Sequence, residues 1–327
     1  MSEPARSSGL QAVLALPEFR KLWLGQVFSQ LADKFYIVLM VFLIAQYWVT
    51  ATPAAGSPLA EAAGALNLSI ESRAQLITLL ATGIYVANTI PAMVLGLVAG
   101  VWADRWRKRE VMVASNGIRA GLALLIPFCL LDGPHWLGLS WGYWGLLLIT
   151  FLESVLTQFF APAEQAAIPM LVPGHQLLAA NSLYQATSMG ATIVGFALGD
   201  PILRLLKYAL AGIGIGNGEF ALLPLCYGLA ALCIAWIRLE ETPQRAGDDS
   251  IWREMADGLQ VLQQQASVRN ALLQLVLLYS LLAALYVLAI SLASAIRQLG
   301  PTQFGTLLAM SGIGLAVGAL AVAQVGH

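Results

Sequence analysis

Charged residues are scarce in this chain. They account for 11% of its 327 residues, whereas soluble domains carry about a quarter. The formal net charge is −1 at pH 7, and binding of nucleic-acid phosphates requires a dense basic surface. The composition therefore excludes a fold whose surface is mostly in contact with water, and it argues against nucleic acid as a partner.

Cysteine and histidine are also rare, with three of each. Cys226 and Cys233 share a helical face, but seven residues of helix separate them by about 10 Å, too far for a disulfide. The sequence shows no His-rich, Cys-rich or paired-carboxylate motif with the spacing of a metal or nucleophile site. We therefore expect no metal, no cofactor and no enzyme activity. An intramembrane enzyme or a non-transporting interaction protein is kept as the alternative class.

Long apolar runs dominate what is present. Hydrophobic residues make up 58% of the chain and the mean hydropathy is +0.74. A membrane-spanning helix needs about 20 apolar residues, and the first run is too long for a cleavable signal peptide. We predict an all-α, polytopic membrane helical bundle with eight spans: 21–49, 74–99, 110–131, 142–162, 177–206, 219–238, 270–296 and 303–325.

The segments between the spans suggest how the chain is divided. A proline-rich bend is expected from Ala161 to Gly174, between the fourth and fifth spans. Between Glu240 and Ala266, apolar residues recur at helical spacing, which predicts an amphipathic helix on the membrane surface. We therefore predict a six-span half over 1–239, a cytoplasmic connector over 240–268, and an incomplete second half with two spans over 269–327.

Basic residues are distributed unevenly between the two sides of these spans. With the N-terminus inside, the cytoplasmic segments hold 11 of the 17 lysines and arginines: Arg6, Arg20, Lys21, Arg105, Arg107, Lys108, Arg109, Arg238, Arg245, Arg253 and Arg269. Positive charge is retained on the cytoplasmic side of membrane proteins. We therefore expect a multi-pass protein of the inner (plasma) membrane with a cytoplasmic N-terminus.

The loop predicted between the second and third spans, Gly100 to Arg109, is the most distinctive motif. It contains a glycine, an acid–arginine pair and a closing basic pair: Gly100, Asp104, Arg105, Lys108 and Arg109. This pattern resembles the signature loop of the major facilitator superfamily, although Arg107 stands where that family usually has glycine. Phe28 to Asp33, Phe160 to Ala163 and Ala180 to Leu183 resemble the branch of bacterial lysophospholipid transporters and siderophore or drug exporters.

The resemblance implies a secondary transporter with two halves of six spans each. It would move a small amphiphilic solute (a drug, a siderophore or a lysolipid-like molecule) by alternating access, as an exporter or antiporter, with possible proton coupling. The full-length protein is expected to be a monomer in the bilayer. The chain ends after eight predicted spans, so a truncated product or fragment is expected; a natural eight-span form and an inactive remnant are the alternatives.

The resemblance also implies roles for the loop residues. Asp104 resembles the acid that latches the two halves on the cytoplasmic side, with help from a helix N-terminus. Arg105, Lys108 and Arg109 would balance its charge and hold the topology. A simple positive-inside anchor is the alternative, but an anchor needs no acid.

Three ionisable residues are expected near the membrane midplane: Asp33, Arg119 and Glu153. Each costs about 2.5–3.5 kcal/mol to insert, so such groups usually face a cavity or one another. We take Asp33 and Glu153 as candidate substrate or proton sites. The alternative is that Arg119 pairs with a carboxylate only to hold spans together, and we expect this structural role for Arg119.

Polar residues also recur at helical spacing within the spans. Gln30 and Asp33 continue such a stripe on the first span, and Asn181 and Gln185 begin one on the fifth. A polar stripe on a membrane helix faces water or other helices. Gln30, Asn181 and Gln185 are therefore added to the predicted substrate or proton pathway.

Overall fold

The described part of the chain is almost entirely helical. The computed structural model describes residues 9–49, 73–131, 134–136, 139–212, 216–239, 241, 260, 263–296 and 303–325. Its helices are α1 (Leu10–Leu14), α2 (Pro17–Leu43), α3 (Arg73–Arg105), α4 (Lys108–Leu125), α5 (Trp141–Leu171), α6 (Leu177–Ala211), α7 (Leu222–Ala235), α8 (Ala266–Ala295) and α9 (Phe304–Val325).

Short elements extend or connect these helices. A π-helical turn, Ile44–Trp48, continues α2, and 3₁₀ turns occupy Ile126–Leu130, Gly174–Gln176 and Gly218–Ala221. Between α4 and α5, the two-residue strands β1 (His135–Trp136) and β2 (Leu139–Ser140) pair antiparallel, with His135 opposite Ser140. These elements turn the chain back into the helical bundle.

Seven helical segments among the described residues are long and apolar enough to cross a membrane. They are Pro17–Trp48, Gln75–Gly96, Lys108–Leu130, Trp141–Leu171, Gly174–Ala211, Gly218–Ala235 and Ala266–Ala293. Helix α9 contributes a shorter apolar stretch, Phe304–Gly314, which is not one of these seven. The predicted all-α membrane bundle is confirmed, and each of the eight predicted spans coincides with one helix.

Helix α2 lies at the centre of the bundle. It packs against α6 and α7, while α3 packs against α5, and α4 packs against α5 and α7. Helices α8 and α9 pack against each other, with α8 also contacting α3 and α9 contacting α6. The second half of α2, from Val38 to Leu43, is almost completely buried. This arrangement surrounds the charged residues of α2 with other helices.

Two glycines bring α6 close to α2. A Cβ atom added at Gly199 would lie 2.9 Å from Cγ2 of Val38, and one added at Gly195 would clash with Cβ of Lys34. Small residues four apart allow helices in membranes to approach closely. The pair therefore fixes the position of Lys34 against α6.

The prediction that Gly100 to Arg109 form the short basic hairpin between the second and third spans is wrong in its bounds. Helix α3 continues through Gly100 to Arg105, and α4 begins at Lys108, so the turn consists of Trp106 and Arg107. Glycine is tolerated within membrane helices, and a basic residue in the last turn of a helix interacts favourably with the helix dipole. The polar residues correctly indicated where the chain turns between two spans, but they did not show that most of this segment is helical.

The predicted bend from Ala161 to Gly174 is also largely wrong. Helix α5 runs through Pro162 and Pro169 to Leu171. Proline is tolerated in membrane helices because neighbouring groups satisfy the backbone carbonyls that it frees. As a result, Glu164 lies within a packed helix rather than in a loop.

Most of the predicted connector, Glu240 to Ala266, lies outside the described residues, as does His327. The amphipathic helix assigned to that connector and the division at 239 and 268 remain predictions.

Candidate functional site

Arg119 is the centre of a charged group inside the bundle, here called the central cluster (Asp33, Arg119 and Glu153). Its side chain on α4 is fully buried. Its Nη1 lies 3.7 Å from Oδ1 of Asp33 on α2, and its Nε lies 3.9 Å from Oε2 of Glu153 on α5. The guanidinium also lies over the rings of Phe160 and Tyr227, 5.1 and 5.6 Å from their centroids. The structure thus brings together all three charges that were predicted near the midplane.

Hydroxyl groups make the hydrogen bonds within this cluster. Nη2 of Arg119 donates to Oγ1 of Thr157 at 2.9 Å, and Nη1 donates to Oγ of Ser29 at 3.4 Å. The hydroxyl of Tyr227 on α7 donates to Oδ1 of Asp33 at 2.8 Å. Helices α2, α4, α5 and α7 are therefore linked through one arginine and its neighbours.

Glu153 is held more loosely than its buried position would suggest. Among the described residues, neither of its carboxylate oxygens has a hydrogen-bond partner, and the same is true of Nε of Arg119. A buried polar atom without a partner costs about 1–3 kcal/mol, and such an atom calls for an explanation. The Glu153 carboxylate can therefore accept a proton, a water molecule or a new partner without first breaking a hydrogen bond.

A cavity of about 360 Å³ lies beside the central cluster. Helices α2, α3, α6, α8 and α9 all contribute to its wall. The polar residues that line it are Lys34, Tyr85, Gln185, Ser188, Thr192, Tyr286 and Ser311. Its volume falls within the range of about 300–1,000 Å³ that is typical of small-molecule sites.

Aromatic rings form one wall of this cavity. Tyr85 of α3 stacks on Tyr286 of α8, with 5.8 Å between the ring centroids and 29° between the planes. Phe196 of α6 meets Tyr286 edge to face at 5.4 Å. The wall offers flat apolar faces beside the polar groups of α6.

Asp33 and Lys34 connect the central cluster to the cavity. They are neighbours on α2, and successive residues of a helix point about 100° apart. Asp33 faces Arg119 and Tyr227, whereas Lys34 lines the cavity. Lys34 was not among the residues that the sequence analysis selected, because helical spacing alone does not show which neighbouring helix a side chain faces.

The predicted pathway residues are placed differently from one another. Gln185 lines the cavity. Gln30 is half-buried and Asn181 is exposed; neither appears in the cavity lining or in the central cluster among the described residues. Ser188 and Thr192, which continue the stripe begun by Asn181, do line the cavity. Helical spacing therefore identified a helix that lines the cavity. Which residues of its polar stripe reach the cavity is decided by how the helices pack.

The predicted gating residues lie on both sides of the α3–α4 turn. Gly100, Asp104 and Arg105 belong to the end of α3, and Lys108 and Arg109 begin α4; the side chain of Asp104 lies outside the described part.

An acid that the sequence did not single out occupies this turn. The carboxylate of Glu241 accepts hydrogen bonds from the backbone amides of Lys108 and Arg109, at 2.7 and 3.0 Å. A carboxylate at a helix N-terminus is stabilised by the free amides and the helix dipole. Glu241 therefore fastens the chain after α7 to the start of α4.

Glu164 was also missed. It lies on α5, fully buried, and within the described part of the chain neither carboxylate oxygen has a hydrogen-bond partner. The sequence placed it in a loop because Pro162 and Pro169 flank it. The structure shows that the helix continues through both prolines, and this places Glu164 inside the membrane-spanning bundle.

A second charged group lies at the end of the bundle opposite the α3–α4 turn, here called the distal cluster (Asp200, Arg204, Lys207 and Glu219). Nε of Arg204 donates to Oδ2 of Asp200 at 2.9 Å. The hydroxyl of Tyr47 donates to Oε1 of Glu219 at 2.7 Å, and Nζ of Lys207 lies 3.7 Å from the same oxygen. Each of these acids has a direct hydrogen bond at one oxygen, whereas the other oxygen, Oδ1 of Asp200 or Oε2 of Glu219, has no partner among the described residues. Within the described ranges, no group of three His, Cys, Asp or Glu side chains could hold a metal ion.

Comparison with known proteins agrees with this architecture. Macrolide efflux protein A of Streptococcus pyogenes is 27% identical over 188 residues, covering 56% of this chain and 42% of that protein. The protein of the same name from Enterococcus faecalis is also 27% identical over 188 residues, covering 56% of this chain and 53% of its own length. YkuC of Bacillus subtilis, an uncharacterized MFS-type transporter, is 25% identical over 166 residues, which are 51% of this chain and 35% of YkuC.

The chain spans about half the length of the curated relatives that it matches, or less. No solved structure matches it. The family assignment rests on a longer match, because residues 22–327 correspond to the Major Facilitator Superfamily. With its membrane-length helices, this chain belongs to the Major Facilitator Superfamily, whose members are transporters and not enzymes.

Proposed function

We propose that this chain forms part of a secondary active transporter that exports a small amphiphilic solute by alternating access. The observation that carries the proposal is the cavity, whose wall combines α2, α3 and α6 of the predicted first half with α8 and α9 of the second. Transporters of this architecture bind their substrates near the midplane, between two halves. The names of the two macrolide efflux relatives support outward transport of drug-like molecules.

Alternating access would require the two halves to exchange contacts around the cavity. Helix α9 packs on α6, and α8 packs on α3. The α8–α3 contact includes the stacked pair Tyr85 and Tyr286. Separating these rings would open the cavity towards one side of the membrane, while the other side stays closed.

The central cluster is the proposed coupling element. Asp33 and Glu153 share one cation, Arg119, at distances of 3.7 and 3.9 Å. Adding a proton to either acid removes its attraction for Arg119, so the arginine would move towards the other acid. Because Asp33 and Lys34 are neighbours on α2, this movement would reach the cavity wall.

The proposed orientation follows from the uneven distribution of basic residues. The start of α2 and the α3–α4 turn would face the cytoplasm, and the distal cluster would face the outside of the plasma (inner) membrane. Glu241 would then hold the start of the connector to the cytoplasmic end of α4.

A cysteine-accessibility experiment tests alternating access without knowledge of the substrate. In the full-length protein, Cys129, Cys226 and Cys233 are replaced by serine, and Gln185→Cys places a thiol in the cavity. A membrane-impermeant maleimide should label this thiol in both right-side-out and inside-out vesicles.

The matched control is Leu198→Cys, an exposed position on the same helix that lies outside the cavity lining. It should react poorly from either side, because a thiol in lipid lacks the water needed to ionise. Labelling of Gln185→Cys from only one side in all conditions would contradict the proposal.

A further inference from the structure

We propose that the cavity accepts an anionic amphiphile, whose acidic group binds the ammonium of Lys34 and whose apolar body lies against the Tyr85–Tyr286 wall. This inference rests on the transport function proposed above and narrows its substrate. The acidic group is a carboxylate, sulfonate or phosphate, because each offers oxygen acceptors to an ammonium donor.

Lys34 gives the cavity its charge. It is the charged side chain among the described lining residues. Among the described residues, no direct ion pair or hydrogen bond of its ammonium is seen, and the charge that acts on it is that of Asp33, its neighbour on α2. An ammonium at membrane depth is costly unless a counter-charge or water compensates it. A bound anion would supply that counter-charge.

The nearby carboxylates are directed elsewhere. Asp33 accepts a hydrogen bond from Tyr227 and faces Arg119. Glu153 lies on α5 and also faces Arg119. Both acids therefore have Arg119 as their close cation, and the side of α2 that faces the cavity presents the positive group.

The opposite wall can complete the coordination of an anion. Gln185, Ser188 and Thr192 follow one another on the same side of α6 and line the cavity. The hydroxyl of Thr192 donates to the carbonyl of Ser188 at 2.9 Å, so the amide of Gln185 is the better donor for a ligand. Lys34 and Gln185 would then bind the acidic group from two helices.

The remaining surface suits an apolar body. Tyr85 and Tyr286 present stacked rings, and Phe196 closes the wall edge to face. Leu282 and Leu285 of α8 extend it. Aromatic pairs of this kind bind flat or extended apolar groups, whereas a cation in the same place would be repelled by Lys34.

Two probes with the same body and opposite charge test the inference. The full-length protein in phosphatidylcholine nanodiscs is titrated with pyrenebutanoate and with pyrenebutyltrimethylammonium, and binding is followed by pyrene fluorescence polarisation, with empty nanodiscs subtracted. The unmodified protein should bind the anion at least about tenfold more tightly, a difference of about 1.4 kcal/mol.

Variants assign the preference to Lys34. Lys34→Gln should bring the two affinities within about twofold of each other, Lys34→Arg should retain the preference for the anion, and Lys207→Gln in the distal cluster should leave it unchanged. Displacement of pyrenebutanoate by lysophosphatidylglycerol would identify a lipid headgroup as an accepted anion. Displacement by naphthoate would identify a soluble acid, and both results support the proposal.

Equal affinities in the unmodified protein, no binding of either probe, or a preference that persists in Lys34→Gln would overturn the inference. The first two results need no variant, so they decide the question even if Lys34→Gln does not fold. If they occur while Gln185→Cys is still labelled from both sides, the substrate class is wrong and the transport function stands. One-sided labelling would instead remove the function on which the inference rests.

Discussion

The central and distal clusters contain the same kinds of charge but hold them differently. In the distal cluster, Asp200 accepts a hydrogen bond from Arg204 at 2.9 Å, and Glu219 accepts one from Tyr47 at 2.7 Å. In the central cluster, Glu153 has no hydrogen-bond partner among the described residues and approaches its arginine only to 3.9 Å.

The difference indicates different tasks. Direct hydrogen bonds fix side chains in one geometry, which suits a cluster that fastens α2, α6 and the start of α7 together. In the central cluster, Asp33 accepts such a bond from Tyr227, but Glu153 has none at either oxygen and is held only by attraction to Arg119 across 3.9 Å. The pairing of Glu153 can therefore be exchanged for another partner at little loss. We infer that the distal cluster is structural and that the central cluster changes its pairing during transport.

Removing the arginines should give the largest contrast between the clusters. Arg119→Ala removes the arginine that pairs with the buried Glu153 and the half-buried Asp33, and we expect it to lower the free energy of unfolding by about 3–5 kcal/mol. Arg204→Ala should lower it less, by about 1–2 kcal/mol, because Arg204 is 38% exposed and only one acid, the buried Asp200, loses a hydrogen bond. Unfolding in mixed detergent micelles, followed by tryptophan fluorescence, measures both; equal losses would contradict the comparison.

Neutralising one acid in each cluster should have the opposite result, with the larger loss of unfolding free energy in the distal cluster. Glu219→Gln weakens the acceptor for Tyr47 and the pairing with Lys207, and we expect a loss of about 1.5–3 kcal/mol. Glu153→Gln breaks no hydrogen bond to a described residue, so its loss should stay below about 1 kcal/mol. The same unfolding assay decides, and a larger loss for Glu153→Gln would show that Glu153 is firmly bound.

Salt should produce the smallest contrast. The coupling energy between Asp200 and Arg204, measured by a double-mutant cycle with Asn and Gln, should fall from about 0.5 kcal/mol towards zero between 0.1 and 1 M salt, because screening shortens from about 10 to 3 Å. The coupling between Asp33 and Arg119 should change less, since Arg119 is fully buried. A stronger salt effect on the central pair would mean that water reaches it freely.

The sequence predicted the helices well because membrane spans are set by length and apolar composition. It also found Asp33, Arg119 and Glu153, since charges at membrane depth are expensive and therefore conspicuous. It missed Glu164 because prolines usually end helices in water, whereas α5 continues through them.

The cavity could not be predicted in the same way. Its wall joins α2, α6 and α8, which are distant in the chain, and helical periodicity carries no information on the rotation of one helix relative to another. Tyr227 lies in an apolar run where a single polar residue gives no periodic signal, and its bond to Asp33 depends on how α7 packs on α2. Lys34 follows Asp33 directly, but its place in the cavity wall depends on Gly195 and Gly199, which let α6 approach α2 closely.

The most direct test of the central claim adds one neutral substitution from each cluster to the Gln185→Cys protein. With Asp33→Asn, the cavity thiol should become accessible from only one side of the membrane while insertion and folding are retained. With Asp200→Asn, labelling from both sides should persist. If Asp33→Asn is labelled from both sides like its parent, the central cluster does not control access to the cavity and the account is wrong.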